Sequence, residues 1–84
     1  MATTKEIILD DTWQQLNTNE SAYLLQVKSS MYDVEIQYNT AAPTTDESIL
    51  LSTRDVITSA VVIGLAYGRR KPNTQDNPII AVVE

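Results

Sequence analysis

The sequence contains no cysteine and no histidine. Disulfides are therefore excluded, and the usual zinc and haem ligands are missing. The same absences remove the commonest general base and the strongest side-chain nucleophile. Positive charge is also scarce. Six Lys and Arg stand against eleven Asp and Glu, for a net charge of −5. A general nucleic-acid binder draws its affinity largely from phosphate neutralisation, and docking on an anionic bilayer needs a basic patch, so this balance argues against both. The longest apolar run, residues 60–66, falls far short of the roughly 20 residues of a membrane-spanning helix. The opening residues Met1-Ala2-Thr3-Thr4-Lys5-Glu6 lack the charged region and apolar stretch of a secretory signal. The expectation is a chain made and kept in the cytoplasm, or built into a particle there. Asn19-Glu20-Ser21 matches a glycosylation sequon, which carries little weight without a route of secretion.

What remains is an ordinary globular composition, with 43% hydrophobic and 20% charged residues among 84. That length makes one domain, residues 1–84. A chain this short buries roughly 60–65% of the surface its unfolded form exposes, so its core is thin. Small domains supplement a thin core with disulfides, metals or oligomerisation, and of these oligomerisation is the route left open.

Period-two patterning dominates. In residues 32–38, Tyr32, Val34, Ile36 and Tyr38 alternate with Asp33, Glu35 and Gln37, the mark of a strand with one buried face. Upstream, Tyr23, Leu25 and Val27 alternate with Leu24, Gln26 and Lys28, and Ser29-Ser30-Met31 between the runs is short enough for a hairpin. Weaker strand signals occupy residues 5–9, 49–51, 60–67 and 79–83. Trp13-Gln14-Gln15-Leu16 suits a bent strand or a helical turn. Two helical alternatives stay open. Ser52 with Asp55 imitates a capping box for residues 53–67, although the β-branched content and Gly64 favour strand. Asp10-Asp11-Thr12 could cap a short helix at Trp13. Polar loops fill residues 39–48 and 68–78. Strands about every ten residues, broken by turn-rich loops, predict an all-β fold: a small antiparallel β-sandwich or barrel of about 6–7 strands, with room for one short helix.

The candidate chemistry is sparse. Asp10-Asp11, Asp33 with Glu35, and Asp46-Glu47 are carboxylate pairs, read as capping residues and solvated faces rather than as a catalytic dyad or metal site. The expectation is no catalytic residue, no metal and no cofactor. Arg69-Arg70-Lys71 holds half of the positive charge and reads as a loop that either is solvated or contacts an acidic partner. Trp13 is the strongest aromatic anchor. The run 79–83 is apolar on both faces and must lie between layers or at a subunit interface. The interface candidates are thus Trp13, Tyr67, Ile79, Ile80 and Val82.

The order of these features resembles small virion proteins of tailed phages: a tryptophan segment (Trp13-Gln14-Gln15-Leu16), the 23–38 hairpin, a proline loop (Ala42-Pro43-Thr44), and a Leu-rich step (Ile49-Leu50-Leu51-Ser52). A strand ending in an aromatic and a basic residue follows (Ala66-Tyr67-Gly68-Arg69), then an apolar strand with a final acid (Ala81-Val82-Val83-Glu84). The glycine that such proteins carry before the Leu-rich step is absent. The likeness spans most of the chain as a pattern and rests on no specific motif. It implies a β-sandwich or barrel that is a homo-oligomer, often a trimer. It further implies a place in the virion, as capsid decoration, head fibre or tail component, beside major capsid or tail proteins. The other reading of the same residues is a small cellular adaptor that binds a protein or peptide through an exposed strand edge.

Overall fold

Alternating apolar residues set where each strand turns its buried face. The computed structural model describes residues 2–18, 22–60 and 63–84. Eight strands form: β1 (Thr4–Ile8), β2 (Gln14–Gln15), β3 (Leu24–Ser29), β4 (Val34–Asn39), β5 (Ile49–Leu51), β6 (Val56–Thr58), β7 (Leu65–Arg70) and β8 (Ile79–Val83). They make two four-stranded sheets. Sheet A runs β1-β8-β3-β6 and sheet B runs β2-β7-β4-β5. The all-β expectation holds, with eight strands rather than six or seven and no helix among the described residues.

The pairings describe one long ribbon. β4 pairs with β5, β3 with β6, β2 with β7 and β1 with β8, all antiparallel, as in a hairpin folded back at segment 40–48. Two further antiparallel pairings, β3 with β8 and β4 with β7, roll the ribbon into two sheets. This strand order is that of a jelly roll. One consequence corrects the sequence reading. β3 and β4 lie in opposite sheets, so residues 23–38 do not form a hairpin. Period-two alternation reveals which face of a strand is buried but not which strand lies beside it. Both apolar faces enter one core, where Leu25, Val27, Val34 and Ile36 meet Leu9, Leu16, Ala66, Ile80 and Val82. Lys28 accordingly does not face the acids of β4. It sits in a bulge of β3 and reaches across β8 to Glu6 of β1.

The strand expected at 60–67 starts later and ends later. Ile63 is 72% exposed, Gly64 takes a φ of 154° that side chains with a Cβ rarely adopt, and the strand runs from Leu65 to Arg70. Val61 and Val62 lie outside the described residues. β7 extends past Tyr67 because β4 pairs with it throughout, from Asn39↔Leu65 to Val34↔Arg70. Gly68, expected to open a loop, instead faces the core. A Cβ there would come within 3.1 Å of Leu16 and 3.2 Å of Ile36, so glycine makes room for both side chains. The two helical alternatives resolve as turns. Asp10 Oδ1 accepts from the Thr12 N–H (2.8 Å) and hydroxyl (2.6 Å), and these bonds lower the Asp10 pKa. Asp55 Oδ2 accepts from the Ser52 N–H (2.8 Å), in a turn closed by Arg54 at a φ of 78°.

Asn17 is the buried polar residue of this core, 1% exposed. Its amide donates to the Gly64 carbonyl (2.9 Å) and its Oδ1 accepts from the Ala66 N–H (2.8 Å). The side chain therefore prolongs the β2–β7 ladder where the backbone of β2 has turned away, and it fixes the start of β7. Replacing it strands the buried Ala66 N–H and the part-buried Gly64 carbonyl. Asn17→Ala should cost about 2–4 kcal/mol, read from urea unfolding. A loss below 1 kcal/mol would mean that water takes over both bonds. Glu84 makes a comparable tie on the surface. Its Oε1 accepts from the Thr18 N–H at 2.6 Å, with Lys5 Nζ 3.6 Å from Oε2. The Thr18 backbone bond holds the Glu84 carboxyl below its ordinary 4.5. Because the folded value is the lower one, this stabilisation is full above 4.5 and disappears as pH falls through the folded value. Acid unfolding of Glu84→Gln should therefore be less steep than wild type between about pH 5 and pH 3. Parallel curves would show that the Thr18 bond does not survive in solution.

Candidate interaction surfaces

The two sheet exteriors differ in kind. On sheet B, Tyr67 and Arg69 of β7 point away from the core, beside Gln37 and Glu35 of β4. This exterior is covered by the chain itself. Gln37 Nε2 donates to the carbonyls of Thr45 and Glu47, which draws segment 40–48 across β4. Arg69 Nε donates to Glu35 Oε1 at 2.5 Å, and its Nη2 donates to Asp46 Oδ1 at 3.1 Å. The ring of Trp13 stacks on the guanidinium, 4.3 Å from ring centroid to Cζ. Burial disfavours the cation, but Glu35 and Asp46 outweigh that cost and raise the Arg69 pKa. Tyr67 is left only 6% exposed although it faces outward.

The basic run does not make a patch. Arg69 and Arg70 belong to β7, not to a loop, and alternation sends them opposite ways. Arg69 is committed to the ion cluster. Arg70 turns to the end of the sandwich, where its Nη1 donates to the Asp76 carbonyl at 3.2 Å. Lys71 is exposed in the following turn. The carboxylates separate likewise: Glu35 and Asp46 converge on Arg69, Asp33 lies exposed before β4, and Asp10 closes its own turn. Among the described residues, no three metal-ligating side chains gather.

The interface candidates fall in three environments. Ile80 and Val82, 1% and 0% exposed, are core residues and cannot meet a partner. β8 is an inner strand between β1 and β3, so the layers of one domain bury the face that carries them. Tyr67 is covered, and Trp13 is half-buried against Arg69. Ile79 is on the outward face of sheet A, half-buried with Ala81 and Val83. Sequence reading missed the neighbours that complete this face. Ile8, Leu24 and Val56 are 63%, 37% and 48% exposed, and the register places them beside or one strand away from β8. Their signal was present in the period of two, since each directly adjoins a core position. It was legible only once the four strands were known to share a sheet. Asp76 was missed too. Its Oδ2 accepts from the N–H groups of Met31 and Tyr32 (2.7 and 3.3 Å), tying the β3–β4 turn to segment 71–77.

Edges and grooves complete the surface. β5 presents Ile49 and Leu50, 48% and 58% exposed, at the open edge of sheet B. A shallow groove beside it is lined by Ile36, Gln37, Glu47 and Ile49, and another by Tyr38, Asn39, Ile63 and Gly64. At the second, the Tyr38 hydroxyl meets that of Tyr23 at 3.2 Å, and burial raises its pKa well above the usual phenol range. Neither groove gathers a base, a nucleophile and an oxyanion donor.

Fold and surface together define a jelly-roll domain with one exterior closed by its own loop and the other open, with aliphatic side chains exposed among polar ones. The chain matches no family model, no curated protein and no solved structure. Arg69 holds the closed side together, and the sole tryptophan reports on it. Arg69→Met, which keeps the stem but leaves Glu35 without its partner, should cost about 2–3 kcal/mol and red-shift Trp13 fluorescence. An unshifted spectrum with unchanged urea stability would overturn the role given to this cluster.

Proposed function

We propose that this chain is a non-catalytic structural protein of a tailed-phage particle, acting as a homo-oligomer on the capsid, head fibre or tail. The observation that carries the reading is the open, apolar exterior of sheet A. A sheet face of a small monomer is normally polar where it meets water, and exposed aliphatic side chains gathered on one face, here Ile8, Leu24 and Val56 around β8, point to a protein contact. Two further features support it. The strand order is that of jelly rolls, an architecture used by viral capsid domains as well as by lectins and cupins, although a shared fold is analogy and not function. The sequence also offers neither the histidine nor the cysteine on which most acid–base and covalent catalysis relies.

A second reading has its own observation. The edge of β5, with Ile49 and Leu50 exposed, could accept a strand from a partner, as a small cellular adaptor would. Mass spectrometry of particles banded from an induced culture of the source strain separates the two. The virion reading expects the chain at many copies in the particle band. Its absence from particles that contain their other structural proteins would overturn that reading and leave the adaptor.

A further inference from the structure

The exterior of sheet A combines exposed aliphatic side chains with one charge of each sign. Its apolar residues are Ile8, Leu24, Val56, Ile79, Ala81 and Val83, interspersed with the uncharged Thr4, Gln26 and Thr58, and its charges are Glu6 on β1 and Lys28 on β3. These two form an ion pair across β8. The face is thus electrically neutral in a chain that carries −5. Elsewhere on the surface the excess of acids would repel another copy.

The register then selects a symmetry. β1 and β3 flank β8 on either side. If two copies meet face to face about a twofold axis running along β8, β1 of one copy lies over β3 of the other. Glu6 of each copy then lies over Gln26 of its partner, and because the Glu6 and Lys28 side chains already lean toward each other across β8, both ion pairs can be exchanged across the interface. Ile79, Ala81 and Val83 meet their own counterparts on the axis. The small Ala81 at its centre lets the two sheets approach closely.

We propose that this chain forms a twofold dimer through the exterior of sheet A, with β8 on the axis and Glu6 paired to Lys28 of the second copy. The proposal deepens the assembly reading above and names the surface it uses. A dyad closes at two copies, so this face makes a dimer and not the trimer implied by the resemblance. Four strands of three to six residues give a footprint on the order of 300 Å² per copy. Standard stable interfaces bury about 800 Å² per partner. The dimer is accordingly weak and concentration-dependent, and becomes effective where a particle holds copies close together.

Sedimentation equilibrium across a concentration series from about 10 μM to 1 mM tests this. Wild type should pass from monomer to dimer and stop there. Ala81→Glu places two carboxylates against each other on the axis and should abolish the dimer, while a thermal melt reports that the outward-facing substitution leaves the fold intact. Glu6→Lys should weaken association at least tenfold, and Glu6→Lys with Lys28→Glu should restore it. A monomer at every concentration overturns the dimer, even if the chain is found in particles, in which case the assembly reading survives without this face. A sharp trimer, or a dimer indifferent to Ala81→Glu, overturns the choice of sheet A. A dimer with this mutational pattern in a chain absent from particles upholds the interface and removes only the virion setting.

Discussion

The insertion of β8 between β1 and β3 is the constraint on which the rest of the structure depends. β8 pairs along its full length with β1 on one side and with β3 on the other. No other strand of sheet A has two such neighbours, because β3 meets β6 over only three residues. The apolar run 79–83 is what allows this position. Ile80 and Val82 fill the core, while Ile79, Ala81 and Val83 tolerate an outward face that neighbours half cover. Placing this strand between two that precede it by far in sequence makes nearly every ladder long-range. Loop-closure entropy must then be met before most contacts form, and such topologies fold slowly.

The same roll decides why the two exteriors differ. In sheet B the tip of the ribbon, segment 40–48, adjoins β4 and can fold back over the outward face, where Gln37 and Arg69 hold it. Arg69 suits the task because its planar guanidinium serves two carboxylates and a ring at once, which an ammonium group could not. In sheet A the corresponding inner strands are joined to others by links that cross to sheet B, and Ile8, Leu24 and Val56 stay open to solvent. Connectivity leaves this exterior uncovered, and strand composition sets its character: aliphatic side chains face outward on sheet A, whereas Glu35, Gln37 and Arg69 face outward on sheet B.

Much of the strand inventory was legible in the sequence, because period-two alternation is a local signal. β5 and β8 fall where Ile49-Leu50-Leu51 and residues 79–83 stood out, and the inward sets Tyr23, Leu25, Val27 and Val34, Ile36 were read correctly, whereas Tyr32, expected on the same buried face, precedes β4 and is 46% exposed. What failed was partnership. A three-residue spacer between two alternating runs favours a hairpin locally, yet both strands find longer ladders with β7 and β8. The basic run failed for a related reason. Gly68 and three cations look like a turn, but Glu35 across the ladder and the crowded Leu16 and Ile36 side chains make a glycine and an arginine the fitting strand residues at 68 and 69. Asn17 was invisible because its role, standing in for backbone, depends on a strand that begins 48 residues later in the chain.

The sheet edges bear on the proposed dimer, because they disfavour association by strand pairing. An exposed sheet edge is a template for uncontrolled pairing. Here β2, β5 and β6 are edges of only two or three residues. β1 is the one long edge, and Lys5 sits on its inward side, opposite Val82. Short edges and an inward-pointing charge both discourage strand addition. Besides Ile49 and Leu50 on the short edge strand β5, exposed aliphatic side chains gather on the exterior of sheet A, whose backbone groups are already paired within the sheet. Contact there buries side chains without offering a free ladder, so it can end at a defined number of copies instead of propagating. The proposed dimer would give a thin domain that lacks cysteine and histidine what it cannot obtain from a disulfide or a structural zinc.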